Sequence, residues 1–172
     1  MARRSYSRRL VLGASGAAAI APFAANLGSP AHVAAATTVT GPLVVLRSPE
    51  RLFDSRLTPP SLGGGKLATG NSVAVTVVTD LPANQIITAA FINCTITDTE
   101  GSGFLVIRPS DLSGEVPLPP TSNINWSTSG LILANLVLTA IGGENAVEVH
   151  AGGAGGRTHF VVDLQGYIPL TT

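Results

Sequence analysis

Hydrophobic and polar residues alternate along most of the chain after residue 36, and this pattern predicts β-strands. In Gln85–Thr97, the apolar residues Ile92, Cys94 and Ile96 alternate with Asn and Thr. Successive side chains of a strand point to opposite faces, so one face of this segment is expected to lie in a core. No segment after residue 36 has the periodicity of an amphipathic helix.

The last predicted strand, Arg157–Ile168, shows the same alternation. Phe160, Val162 and Leu164 are expected to face the core. The other face would carry His159, Val161, Asp163, Gln165 and Tyr167. Gly130–Ile141 differs because it is almost entirely apolar. Its β-branched residues and flanking glycines favour a strand over a helix, and we expect a strand that is buried on both sides.

Turn-forming residues separate these segments. The predicted strands are Leu43–Arg47, Ser72–Thr79, Gln85–Thr97, Gly103–Arg108, Ser122–Trp126, Gly130–Ile141, Ala146–His150 and Arg157–Ile168. Leu81–Asn84 is a predicted turn, Pro109–Pro120 a proline-rich loop, and Gly142–Asn145 and Ala151–Gly156 are predicted turns, the first of them a hairpin. Many short strands with frequent turns predict an all-β protein, an antiparallel β-sandwich of the jelly-roll type.

The N-terminus has the order of a bacterial secretory signal. Met1–Leu10 contains four arginines and no acidic residue, and Val11–Leu27 is uncharged and apolar. Ala34 and Ala36 fit the −3 and −1 positions of a cleavage site. We therefore expect a helical signal peptide over residues 1–36 and one β-sandwich domain over residues 37–172.

Ser7–Leu12, with its paired Arg8 and Arg9, resembles the twin-arginine export motif. That resemblance implies export of an already folded protein by the twin-arginine machinery. We expect a secreted or cell-surface protein, with cleavage of the signal or its retention as an anchor both left open. Cys94 is the single cysteine, so no intrachain disulfide can form.

Charge is sparse and its balance excludes some partners. All four arginines of the predicted signal lie before residue 10, so residues 37–172 keep 6 basic and 10 acidic residues, a formal charge of −4. Nucleic-acid binding needs a basic footprint that this domain lacks, so no nucleic-acid partner is expected. Anionic lipid surfaces are disfavoured for the same reason.

Four motifs stand in a recognisable order along the domain. They are Arg51–Arg56 (RLFDSR), Ser122–Trp126 (SNINW), Ala134–Val137 (ANLV) and Val162–Tyr167 (VDLQGY). Together they resemble a β-rich module of secreted and surface proteins of actinobacteria and other bacteria, whose motifs read RLLDTR, SNLNF, AN and VDVxGYF. Ser55 and Trp126 depart from it, replacing Thr and Phe. The resemblance implies an accessory or surface module rather than an enzyme.

Arg51, Asp54 and Arg56 form a charged group in a chain that has few charges. Arginine and carboxylate groups form bidentate hydrogen bonds that hold a loop in place. One interpretation is a recognition site for a sugar or a carboxylate. The other is a structural network that fixes the N-terminal segment to the sandwich, with Asp163 or Asn125 as a further partner.

Amide and aromatic side chains are the other candidates for binding. Asn123, Asn125 and Asn135 either bind sugar hydroxyls or satisfy buried backbone groups. Trp126 either stacks on a sugar or fills the core, and Tyr167 is a second candidate aromatic. For these residues too, the structural interpretation competes directly with the binding one.

Metal and catalytic sites are poorly supported by the pattern. His150 and His159 would face each other across a hairpin, but no zinc signature accompanies them. The turns Asp98–Gly101 and Asp111–Glu115 offer oxygen ligands without an EF-hand spacing. No serine has the context of a nucleophile elbow. We therefore expect no cofactor, no metal and no catalytic residues.

The sequence supports three functional hypotheses. The first is an exported, non-enzymatic module that binds cell-wall polysaccharide through an exposed cluster of Trp126, asparagines and Arg56. The second is a structural surface protein that forms homo-oligomers through an apolar face with Leu131, Leu133 and Val137. The third, a secreted hydrolase, would require a pocket with clustered histidine and acid.

Overall fold

The computed structural model describes residues 42–77, 85–110 and 121–171. The predicted signal peptide and cleavage site, with Arg8, Arg9, Ala34 and Ala36, lie outside these ranges, as does the Leu81–Asn84 turn. The described strands are β1 (Val44–Asp54), β2 (Leu67–Ala68), β3 (Ser72–Thr76), β4 (Gln85–Glu100), β5 (Gly103–Pro109), β6 (Ile124–Trp126), β7 (Leu133–Ala140), β8 (Ala146–Gly152) and β9 (Arg157–Thr171). Short 3-10 turns occupy Pro60–Leu62 and Gly143–Asn145.

The strands form two antiparallel sheets. The first sheet has the order β1-β9-β4-β7, and β2 pairs with β9 beside β1. The second sheet has the order β3-β8-β5-β6. If the two-residue β2 is set aside, this is the strand order of a jelly roll, in which sequence neighbours mostly lie in opposite sheets. The prediction of an all-β antiparallel sandwich is confirmed.

The core lies between the inner faces of the two sheets. The predicted inward residues of β4 (Ile92, Cys94, Ile96) and of β9 (Phe160, Val162, Leu164) are all buried. Phe53 of β1 stacks on Phe160, with ring centroids 5.0 Å apart. The second sheet contributes Val147 and Val149 among its buried residues. The period-two pattern therefore identified these six core positions of the two longest strands correctly.

Tyr167 lies on the opposite face from the one that the alternation predicts. The β4–β9 register moves from Ile92↔Leu164 to Phe91↔Gly166, which leaves Gln165 as an extra residue. Such a bulge reverses the facing of every later residue in its strand. Tyr167 consequently pairs with the buried Ala90 and packs against the core. Its predicted outward position was wrong.

The segment around β7 also differs from its prediction. We expected Gly130–Ile141 to be buried on both sides, but β7 is the end strand of the first sheet and only Val137 within it is buried. An apolar sequence predicts burial only when other strands flank it on both sides. Within the described ranges, β4 is the only strand that pairs with β7.

The two glycine-containing turns cross between the sheets. Gly142–Asn145 connects β7 to β8, and the turn after Gly152 connects β8 to β9. Because β8 belongs to the second sheet and its two neighbours in sequence belong to the first, neither turn closes a hairpin. The hairpin predicted at Gly142–Asn145 was therefore wrong, although Glu144 and Asn145 do adopt positive φ angles of 59° and 53°.

Candidate functional site

Charged side chains meet where β1 ends beside β9, on the outer face of the first sheet. Arg51 and Asp163 are partners in the β1–β9 register, and the guanidinium of Arg51 donates to the Asp163 carboxylate through Nε. Arg51 Nη1 also donates to Asp54 Oδ2 at 3.0 Å. Arg56 donates to Asp54 through its backbone N–H at 3.0 Å, through Nε at 2.8 Å and through Nη2 at 2.6 Å. Arg51, Asp54, Arg56 and Asp163 are hereafter the Arg–Asp cluster.

Asp54 is the buried centre of this cluster. Hydrogen bonds from Arg56, together with the positive charges of Arg56 and Arg51, lower its pKa from 3.8 to about 2 against the opposing effect of burial. The side chains of Arg51 and Arg56 remain half exposed. Asp54 therefore orients two arginines whose outer surfaces face solvent, since a carboxylate fixes a guanidinium in plane.

The cluster combines features of both interpretations. Its contacts join β1 to β9 and include Asp163, as the structural interpretation predicts. Asn125, the other suggested partner, lies on β6 in the second sheet. Arg56 is held by Asp54 through Nε and Nη2 while its side chain stays half exposed, so the cluster also presents an oriented guanidinium to solvent.

Sequence reasoning missed one contact in this region. The Ser55 hydroxyl accepts a hydrogen bond from the backbone N–H of Phe160 at 2.9 Å and lies 3.0 Å from His159 Nδ1. A serine beside a histidine is part of a nucleophile–base arrangement. Ser55 is only 1% exposed, however. The geometry therefore describes a tie between β1 and β9 rather than an accessible nucleophile. The alternation in β9, which turns His159 outward, was the one available sequence signal.

The candidate asparagines are not brought together into one binding group. Asn123 Oδ1 accepts from the backbone N–H of Ile107 at 2.6 Å, and Asn135 Nδ2 donates to the backbone oxygen of Asn123 at 2.8 Å. Asn125 is exposed and its Oδ1 accepts from Ser122 at 2.9 Å. The Asn123 side chain thus connects the segment before β6 to β5, and the Asn135 side chain connects the same segment to β7, in agreement with the structural interpretation.

Trp126 is a core residue. It is 4% exposed, and its Nε1 lies 3.4 Å from the backbone oxygen of Glu100. Gly103 makes room for it, because a Cβ at that position would lie 2.5 Å from the indole ring. The side chain is therefore inaccessible to a sugar in this fold, and the exposed Trp126 required by the first hypothesis is not found.

The suggested metal ligands are separated. His150 lies on β8 in the second sheet and His159 on β9 in the first, so they do not face each other across a hairpin. Asp98 is paired with Lys66 at 2.7 Å. Within the described ranges no three His, Cys, Asp or Glu residues are grouped to hold a metal ion. Asp111–Glu115 lies outside those ranges.

A second ionic group joins the start of β9 to the end of β4. Lys66 contacts both Asp98 and Glu100, and Arg157 donates to Glu100. Hydrogen bonds from Lys66 and Arg157 lower the pKa of Glu100, and the two carboxylates raise the pKa of Lys66. All four side chains form ion pairs within the group. We therefore interpret it as a surface network that links the two strands and contributes little to the free energy of unfolding.

The second sheet contains an ion pair that the sequence did not reveal. Arg108 Nε donates to Glu148 Oε2 at 2.7 Å, and both side chains are buried. Burial alone raises the pKa of Glu148, but hydrogen bonds from Ser72 and Arg108 reverse this and lower it. The two residues are 40 positions apart in the sequence, so their pairing could not be predicted from local pattern. The β5–β8 register places them opposite each other.

Cys94 has the environment of a structural thiol. It is fully buried in β4, and burial raises its pKa to about 12. A thiol reacts as its thiolate, which this environment strongly disfavours. The predicted position of Cys94 on the apolar face of its strand is confirmed.

Exposed apolar residues concentrate along β7. Leu136 is 57% exposed and Leu138 is 59% exposed, and Leu133 and the preceding Ile132 are exposed as well. Phe91, the β4 partner of Leu138, extends this apolar surface onto the neighbouring strand. The second hypothesis named Leu131, Leu133 and Val137, of which only Leu133 is exposed. We call Leu133–Ala140, with its exposed leucines, the β7 edge.

A single row of residues connects the two regions across the outer face of the first sheet. Arg51 pairs with Asp163, Asp163 with Asn93, and Asn93 with Leu136. The row passes from ionic at β1 to apolar at β7. This face is therefore polarised, with a network of charges at one side and unpartnered leucines at the other.

Comparisons of the chain with family models, curated proteins and solved structures give no match in any of the three. The resemblance to the actinobacterial surface module thus stays a prediction. No described helix is long and apolar enough to cross a membrane.

Proposed function

We propose that this chain is an exported, non-enzymatic module that acts at the cell surface or outside the cell by associating with copies of itself. The observation that carries this proposal is the β7 edge. It is an edge strand with three exposed leucines and no charged residue. Contiguous apolar patches on the surface of a soluble protein mark interaction sites.

Export is supported by the order of the first 36 residues. Arginines, an apolar run and small residues follow one another there as in a twin-arginine signal. A protein that is exported in the folded state needs no disulfide for stability outside the cell. The single cysteine is compatible with this route, because its side chain is buried.

Binding of cell-wall polysaccharide is the second candidate function. The fixed, half-exposed arginines of the Arg–Asp cluster favour it, because oriented donors recognise hydroxyl and carboxylate oxygens. The buried Trp126 removes the aromatic platform on which the hypothesis first relied. Arg56, which is half exposed and held by Asp54, is the residue on which this alternative now depends.

Sedimentation velocity of the full chain over a range of protein concentrations tests the proposal. We expect the sedimentation coefficient of the wild type to rise with concentration. A variant with Leu136→Lys and Leu138→Lys should stay monomeric, because lysines on an edge oppose strand pairing. Val45→Lys is the matched control, since Val45 is 69% exposed on β1, and it should behave as the wild type does.

Pelleting with insoluble cell wall separates the two candidates. If the wild type is monomeric at every concentration, self-association is refuted. If it also pellets with cell wall, and Arg56→Ala abolishes pelleting while the lysine variants do not, polysaccharide binding becomes the better account.

A further inference from the structure

The sequence of β7 has the same chemical character in both directions from its central residue. Val137 stands at the centre, with Leu136 and Leu138 on its two sides. Asn135 corresponds to Thr139, both polar, and Ala134 corresponds to Ala140. A strand with this symmetry can pair with an identical strand without placing unlike residues opposite each other.

We infer that β7 pairs antiparallel with β7 of a second copy of this chain, with the two-fold axis at Val137. The inference rests on the proposed function and adds its partner and register to it. An isologous interface uses the same patch on both copies, and an antiparallel strand pair has this symmetry. Each Leu136 then lies opposite Leu138 of the second copy, and each Asn135 lies opposite Thr139.

The faces of the sheet are compatible with this register. Leu136 and Leu138 pair with Asn93 and Phe91 of β4 and so lie on the outer face of the first sheet. Two Leu–Leu pairs would therefore form there, next to Phe91. Directly opposed apolar side chains are the stabilising unit of a sheet.

Neighbouring registers match opposed residues less well in size and polarity. An axis at Leu136 places Leu138 opposite Ala134 and Asn135 opposite Val137, so that large residues meet small ones and an amide meets an apolar side chain. Registers that differ by more shorten the paired segment. The axis at Val137 is the register in which every pair within Ala134–Ala140 matches in character.

The β7 edge also lacks the features that prevent strands from pairing. It contains no proline and no charge, and its eight register positions with β4 run without a shift. Such an edge is a ready template for another strand. At about 3.4 Å per residue its eight residues extend roughly 27 Å. A single strand pair of this length provides a small contact, and small interfaces are typical of weak association, so we expect a concentration-dependent dimer rather than an obligate one.

Cysteine cross-linking tests the register in the full chain. Directly opposed residues of a strand pair lie within reach of a disulfide, whereas diagonal neighbours lie about 7–8 Å apart. We expect a mixture of the Leu136→Cys and Leu138→Cys proteins to form disulfide dimers roughly fivefold more than either protein alone. Val45→Cys, at a position that is at least as exposed but lies on β1, is the control and should stay uncross-linked. The native Cys94 is fully buried and does not interfere.

The outcomes separate the register from the function. Preferential cross-linking of the mixture supports the Val137 axis. Equal or stronger cross-linking of one protein alone, with a wild type that dimerises in sedimentation, overturns the register and leaves self-association standing. Absence of cross-linking together with a monomeric wild type overturns both.

Discussion

The two end strands of the first sheet, β1 and β7, differ in the features that protect an edge strand from pairing with another chain. β1 contains Arg47, Pro49, Glu50 and Arg51, and its register with β9 is interrupted twice. β7 contains no charge and no proline, and its register with β4 is regular. Charges, prolines and irregular register are the usual protection of an edge strand against pairing with another chain. One edge is therefore protected and the other is not.

This difference between the two edges explains why we place the proposed self-association at β7 and not at β1. Both strands are largely exposed, so exposure alone does not distinguish them. The side chains do: Arg51 is engaged with Asp54 and Asp163, whereas Leu136 and Leu138 have apolar surface open to solvent. An open apolar edge is a liability for a monomer and an advantage for a protein that assembles.

The largest expected effect on stability lies outside both edges, at the buried ion pair of the second sheet. Arg108→Met leaves the Glu148 carboxylate buried without its arginine, which should lower the free energy of unfolding by about 3–5 kcal/mol. Urea denaturation of the variant and the wild type measures this difference. Adding Glu148→Gln should recover most of the loss, because the buried charge is removed. A loss below about 1 kcal/mol in Arg108→Met would show that the buried Glu148 carboxylate does not depend on Arg108.

Lowering the pH should reduce the free energy of unfolding through Asp54 at the β1 edge, by less than the Arg108→Met substitution does. The pKa of Asp54 falls from 3.8 to about 2 on folding, so its contribution to stability is complete above about pH 5 and is lost progressively as the pH falls through 4 and 2. A shift of this size corresponds to about 2 kcal/mol. Thermal unfolding measured over this pH range checks the prediction.

Asp54→Asn isolates this carboxylate from the other acidic groups. The variant should be about 2 kcal/mol less stable than the wild type at neutral pH, and the difference should shrink toward pH 2. It should still dimerise through β7. A difference that stays constant over the whole range would assign the loss to packing rather than to the charge of Asp54.

The smallest effect on folding is expected at the open edge. Leu138→Lys should change the free energy of unfolding by less than about 0.5 kcal/mol at low protein concentration, because Leu138 is largely exposed. Chemical denaturation of dilute protein provides the measurement. A loss of about 2 kcal/mol would mean that Leu138 packs within its own subunit, and its effect on dimerisation would then be indirect.

The sequence predicted those parts of the fold that depend on local pattern. The alternation in β4 and β9 identified Ile92, Cys94, Phe160 and Leu164 as core residues, and all four are buried. It failed at Tyr167, because a bulge at Gln165 depends on pairing with β4 and leaves no mark in one strand alone. It failed at β7 because apolar composition does not tell whether a second neighbour exists.

The candidate site was predictable to a similar extent. The spacing of Arg51, Asp54 and Arg56 indicated a charged group, and the structure brings Asp163 to it. The contact between Ser55 and His159 spans 104 residues, and only the β1–β9 register creates it. Trp126 shows the limit most clearly, because its burial depends on the space that Gly103 leaves on the neighbouring strand.

Amide hydrogen exchange at two protein concentrations, about 100-fold apart, tests the difference between the edges most directly. Amides of β7 should exchange more slowly at the higher concentration, because pairing with a second copy protects them, while amides of β1 should exchange at the same rate at both. Equal exchange of β7 at the two concentrations, or protection that appears at β1 instead, would contradict the assignment of β7 as the interface.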